Sequence, residues 1–197
     1  MTADAFAHHP ELRSLILNPD GSAMRSFDPH LIAAARPELG LSAFLTPPHE
    51  REAARQQALK RVDGDLWVFA YGSLMWDPAF RFVELRRARV ASHARRFILK
   101  DSFGARGTRE RPGLQAALDE GRGCDGLVFR IKASDVAAEP EILWRREMAG
   151  PAYVPSFVTA DTVSGPVAAL AFVADPMSPA IVRDMPRDLQ VRYIATG

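Results

Sequence analysis

The 197-residue sequence has one cysteine, Cys124, so it can form no internal disulfide and no cysteine-based metal site. A reducing compartment suits such a chain. Its five histidines are scattered: His8 and His9 near the start, His30 and His49 further on, and His93 by itself, with no metal-ligand spacing among them. No metal site is therefore expected. No apolar run reaches the roughly 20 residues that cross a membrane, and the first fifteen residues mix Asp, Glu, His and Arg with apolar residues, unlike a leader. These absences predict a soluble, cytoplasmic protein. Charge of one sign is lacking too: the formal net charge is +1, which gives no overall attraction to nucleic acid or an acidic membrane. Nothing in the composition speaks to oligomeric state.

What is present is an ordinary globular composition, 47% apolar and 25% charged, enough for one sizeable core. The first 64 residues have a different texture from the rest. Asn18-Pro19-Asp20-Gly21, Asp28-Pro29 and Pro47-Pro48 break them into short pieces, with helices expected over 29–35 and 49–62 and a turn at Asp63-Gly64-Asp65. Residues 1–64 read as an appendage and 65–197 as the catalytic domain. Strands are expected at 66–70, 88–92, 95–99, 113–118, 126–131, 153–159 and 167–174, with turn residues between them. One helix interrupts the series, opening near Pro140 and stopping at Gly150-Pro151. This order predicts an α+β sheet or barrel and not a regular βαβ alternation.

Three features could carry chemistry. Tyr71-Gly72-Ser73-Leu74 follows the 66–70 strand, where glycine lets the backbone turn sharply and its N–H groups converge on a carboxylate or an oxyanion. The plain alternative is a simple turn, and a nucleophile elbow is excluded because Ser73 lacks glycines at the required spacing. Glu147 shares a helix face with Leu143 and lies near Trp144, while Arg145 and Arg146 point to other sides. An unpaired carboxylate there is desolvated, and the helix C-terminus pushes its pKa the same way, towards that of a proton acceptor near neutral pH. The alternative is a salt bridge to another element. Residues 81–111 hold a local basic excess, including Arg95, Arg106 and Arg109, without the aromatic platforms of a nucleic-acid site. Most of these side chains read as solvated surface, and Arg106, in a glycine-flanked loop, is the candidate for a substrate carboxylate.

Several ordered segments, LWVFAYGSLMW from Leu66, His93-Ala94-Arg95-Arg96-Phe97, Arg106-Gly107-Thr108, Asp125-Gly126-Leu127-Val128-Phe129-Arg130 and ILWRREMAGPAY from Ile142, resemble the ChaC-type γ-glutamylcyclotransferases. The resemblance implies a mixed α/β fold around a small β-barrel flanked by helices. It implies an enzyme that degrades glutathione to 5-oxoproline and cysteinylglycine without a cofactor. It further implies that Val68, Phe69, Ala70, Tyr71, Gly72, Ser73 and Leu74 hold the γ-glutamyl group, that Glu147 is the acid and base, and that Tyr153 lines the pocket. The family pattern continues beyond the equivalent of Gly197, so the domain is expected to lack its usual C-terminal helices. Two rival readings stay open: another γ-glutamyl amine or peptide as substrate, and a catalytically silent regulatory protein of the same fold.

Overall fold

The apolar run at 66–70 forms strand β1 (Leu66–Ala70), covered on both faces, which is why it shows no polar alternation. The computed structural model describes residues 4–103 and 105–196. Within them β1 is followed by β2 (Glu84–Val90), β3 (His93–Asp101), β4 (Gly113–Glu120), β5 (Cys124–Ile131), β6 (Tyr153–Thr162) and β7 (Gly165–Ala174). Helices α1 (Pro29–Ala35) and α2 (Pro48–Leu59) precede β1, α3 (Glu141–Glu147) lies between β5 and β6, and α4 (Arg187–Thr196) follows β7. No helix among the described residues is long and apolar enough to cross a membrane.

Five strands close into a barrel in the order β1, β5, β2, β6, β7, with β7 returning parallel to β1. Closure removes the free edges that would otherwise expose unpaired backbone. Strand β4 adds to β7 through Leu118 and Val173, and β3 pairs with β4. Phe69, Val90, Val128, Val158, Ala160, Ala169 and Ala171 form one buried cluster drawn from all five barrel strands, which is the barrel interior. Residues of opposite parity, such as Val68, Leu85, Phe129 and Phe172, face a second cluster with Ile142, Leu143 and Trp144 of α3. Trp144 meets Phe172 edge-on at 5.2 Å, fixing α3 against the outer face of β7.

One glycine is dictated by this packing. A Cβ on Gly126 would lie 2.3 Å from the Ala70 carbonyl oxygen and 2.9 Å from the Phe69 ring. Gly126→Ala is therefore expected to cost about 1–3 kcal/mol, read as a lower urea midpoint with an unchanged slope. An unaltered midpoint would mean that β1 can yield at the end that leads into the Tyr71 turn.

The expected strand at 88–92 lies too far along the chain. Strand β2 begins at Glu84, and residues 91–92 are already the turn into β3. The charged start of β2 hid it. Arg86 stacks 5.0 Å from the Trp67 ring and pairs with Glu84, while Arg130 of β5 pairs with Glu84 at 2.8 Å, so this end of the strand carries a neutralised ionic cluster where apolar residues would be looked for. Helix α4 was not foreseen, because Arg187, Asp188, Gln190 and Arg192 give it no long apolar stripe. It follows a segment that pairs with β3: Lys100 N–H donates to Ala180 O and Val182 N–H to Ile98 O, both at 2.8 Å.

Residues 4–64 lie against the barrel domain. Leu12 and Ile16 join the outer core cluster, Leu17 N–H donates to Trp76 O at 2.8 Å, and the Ser22 hydroxyl donates to Asp77 at 2.7 Å.

Candidate active site

Strand β1 runs out into Tyr71 and Gly72, and the chain then makes one tight helical turn over Ser73–Met75. Met75 N–H closes that turn on Gly72 O at 2.9 Å, whereas the N–H groups that begin it have no acceptor within it. A Cβ at Gly72 would meet nothing within 4 Å, so the backbone here faces open space. That space is a cavity of about 490 Å³, in the range of small-molecule sites. One wall is Phe69 and the turn from Tyr71 to Trp76; the others are Arg95 and Phe97 of β3, Arg106, Leu114 to Ala116 of β4, Glu147, Tyr153, Phe172 and Ile194.

Glu147 is the last residue of α3, held in place because Ile142, Leu143 and Trp144 of the same helix are buried. It is half-buried and makes no hydrogen bond or ion pair with a described residue. Its two arginine neighbours are directed elsewhere. Arg145 donates to Arg25 O at 2.7 Å, and Arg146 donates to Asp77 O at 2.6 Å and to the Ser73 hydroxyl at 3.3 Å. Burial pushes the Glu147 carboxyl above the ordinary glutamate range, and the Arg146 charge offsets only part of that rise. Arg146 thus ties the helix that carries Glu147 to the turn it faces, while leaving the carboxylate free.

Two phenols complete this end of the cavity. Tyr71 O–H donates to Phe172 O at 2.9 Å, and Tyr153 O–H to Ala116 O at 3.4 Å. Burial raises both above the ordinary tyrosine value, and the Glu147 charge adds to each rise. Both remain neutral donors throughout the working pH range, and neither can act as a base. Among the described residues there is no group of three or more His, Cys, Asp or Glu side chains that could hold a metal.

The residues of this wall match a family model described as ChaC-like protein, over residues 66–197. The chain belongs to the ChaC-like family. A glutathione-specific gamma-glutamylcyclotransferase of Escherichia coli is 37% identical over 123 residues, covering 62% of this chain and 53% of that protein. The glutathione-specific gamma-glutamylcyclotransferase 1 of Rattus norvegicus is 33% identical over 156 residues, covering 75% of this chain and 70% of that protein. This ChaC-like chain thus spans about half the length of the bacterial relative and about two thirds of the mammalian one. A solved structure of the yeast gamma-glutamyl cyclotransferase specific to glutathione shares the fold, with a TM-score of 0.60 at 19% identity over 68% of this chain and 79% of that one.

In the ChaC-like chain the residues singled out from sequence divide into two sets. Phe69, Tyr71, Gly72, Ser73, Leu74, Arg106, Glu147 and Tyr153 line one cavity. Val68 and Ala70 do not: both are fully buried, with their side chains in the outer core cluster behind the wall. Their place is to hold β1, through pairing with Phe129 and Leu127 of β5. Sequence reasoning missed Arg95, Phe97, Gln115, Phe172 and Ile194, which come from strands and a helix distant in the chain. Only the Arg95 and Phe97 segment had a signal, since it forms part of the family resemblance.

Proposed function

We propose that the chain cleaves glutathione by intramolecular cyclisation of its γ-glutamyl group, releasing 5-oxoproline and cysteinylglycine. The observation that carries this reading is Glu147: a half-buried carboxylate with a raised pKa and no partner among the described residues, lining the same cavity as the Tyr71 to Leu74 turn. The names of the relatives, all within one family, support the same chemistry and substrate. The Tyr71 to Leu74 turn holds the γ-glutamyl end. The Glu147 carboxylate takes a proton from the substrate α-ammonium, and the freed amine attacks the γ-carbonyl carbon. A C–N bond forms, and the carbonyl oxygen becomes an oxyanion that turn N–H groups stabilise. Protonated Glu147 gives its proton to the departing cysteine nitrogen as the old amide C–N bond breaks, and the second proton of the ring nitrogen passes through the same carboxylate to the released amine, so one carboxyl serves every transfer. Since amine and carbonyl belong to one molecule, holding the chain folded supplies on the order of several kcal/mol of the barrier reduction. Residues 65–197 contain every group in this scheme, with residues 1–64 as its support. The compartment proposed is the cytoplasm, in keeping with the single buried thiol of Cys124.

The test is to incubate the protein with reduced glutathione and assay 5-oxoproline and cysteinylglycine. Equimolar appearance of both is expected. Release of glutamate in place of 5-oxoproline would replace cyclisation by hydrolysis, and no product at all would favour a silent member of the fold.

A further inference from the structure

Arg106 sits on the loop between β3 and β4, and its backbone is held from two sides. The buried Asp101 carboxylate accepts Phe103 N–H at 2.8 Å, Arg106 N–H, and the Gln115 side-chain amide at 3.2 Å. The two ends of the loop stack so closely that a Cβ on Gly107 would lie 2.1 Å from Gly113 N, and one on Gly113 would lie 2.1 Å from Arg106 O. The Phe44 ring meets Phe103 at 4.6 Å from the other side, and Arg109 reaches Leu39 O at 3.4 Å.

The guanidinium itself is uncommitted. Arg106 lines the cavity, yet its side chain makes no hydrogen bond or ion pair with a described residue. Arg95, the other arginine of the lining, already donates to Asp125 O at 2.8 Å. Arg106 and Glu147 reach the cavity from different elements, the β3–β4 loop and the end of α3. The cavity has a proton-transfer group on one element and, on another, a pre-positioned guanidinium with no partner among the described residues. A rigid fork of donors of this kind matches a carboxylate. If the γ-glutamyl group lies on the Tyr71 turn, as the proposed function requires, the leaving dipeptide extends roughly 7 Å beyond the scissile amide and ends in a carboxylate.

We infer that Arg106 receives the C-terminal carboxylate of the departing dipeptide, and that the chain thereby selects γ-glutamyl peptides with a free carboxyl terminus over their C-terminal amides. This rests on the cyclotransferase reading, and the test separates the two. Release of 5-oxoproline is measured from glutathione and from glutathione C-terminal amide, with wild type, Arg106→Ala and Arg106→Lys. Wild type is expected to favour the acid by about 10- to 100-fold in kcat/KM, the worth of a hydrogen-bonded charge. Arg106→Ala loses that factor on glutathione and stays within about threefold of wild type on the amide, so the preference collapses; the lysine variant falls between. Equal loss on both substrates, or a wild type indifferent to the amide, overturns the inference while leaving the cyclotransferase standing. If wild type makes 5-oxoproline from neither, the proposed function fails, and calorimetric binding of the same two compounds decides the subsite. An acid preference that disappears in Arg106→Ala upholds it, and no preference removes it. Arg106 is exposed, so its variants should melt with the wild type.

Discussion

Replacing Glu147 by glutamine is expected to lower glutathione turnover by about 10²- to 10⁴-fold, the usual worth of a positioned acid and base, and to raise stability at neutral pH. Both outcomes follow from the same surroundings. Glutamine keeps the shape but can neither take the α-ammonium proton nor return it to the leaving nitrogen. It breaks no hydrogen bond to a described residue, because the Glu147 carboxyl makes none. What it removes is a charge that burial disfavours and that Arg146 only partly compensates. A variant that keeps its turnover sinks the mechanism, and one that unfolds more easily at pH 7 shows that Glu147 has a stabilising partner.

The pH dependence gives a second reading of the same group. The folded pKa of Glu147 is raised, so in the window above the ordinary glutamate value the folded chain binds a proton that the unfolded chain has released. Its contribution to stability is full below the unfolded value and is lost as pH rises through the folded one. The stability difference between Glu147→Gln and wild type is therefore expected to grow on the way from acid to neutral pH. Over the same window turnover should rise, because the basic form is the one that accepts the first proton. Taking the difference between the two proteins matters. Glu139 and Asp119 have lowered pKa values in the fold and give the opposite slope.

Much of this was legible because it is local. The 66–70 run, the helix over 29–35 and the helix stop marked at Gly150-Pro151 depend on apolar runs, proline and glycine; the first two form at the residues so marked, and α3 ends at Glu147, three residues before Gly150. The spacing of Leu143, Trp144 and Glu147 already put the carboxylate against the core, with its arginine neighbours turned aside. What was hidden depends on pairings far apart in the chain. The parallel contact between Trp67 and Ala169 that closes the barrel has no sequence signature, and the same closure decides that Val68 and Ala70 face the core while Phe69 and Tyr71 face the cavity side. The walls supplied by Gln115, Phe172 and Ile194 were out of reach for that reason. The start of β2 was lost because Glu84 and Arg86 are charged residues in a neutralised cluster, which defeats any search for alternating apolar residues.

Arg25→Ala is expected to cost about 1–3 kcal/mol, as for leaving a buried acceptor without its partner, although Arg25, itself half-buried, belongs to the irregular N-terminal stretch. Glu139, just before α3, is 6% exposed and accepts both Arg25 terminal nitrogens, at 3.0 and 3.1 Å, along with Arg81 N–H at 2.7 Å. Burial pushes the Glu139 carboxyl up, but the bonds from Arg25 and the Arg81 N–H outweigh it and leave the pKa lowered. Arg25 also donates to Ala79 O at 2.7 Å, at a residue whose φ of 60° places it in the left-handed region, and its own carbonyl accepts from Arg145 of α3. One side chain of the first 64 residues thus fixes the β1–β2 connection and the approach to the helix that carries Glu147. Without it, Glu139 keeps only Arg81 and must be protonated or solvated. The loss should be largest at neutral pH and shrink on acidification, as protonation relieves the stranded charge. Urea unfolding of Arg25→Ala, Glu139→Gln and the double variant tests this. The double variant should be more stable than Arg25→Ala alone, because glutamine removes the uncompensated charge. A loss below about 1 kcal/mol for Arg25→Ala, the range of an exposed pair, would mean that the N-terminal stretch rests on the barrel without bracing it.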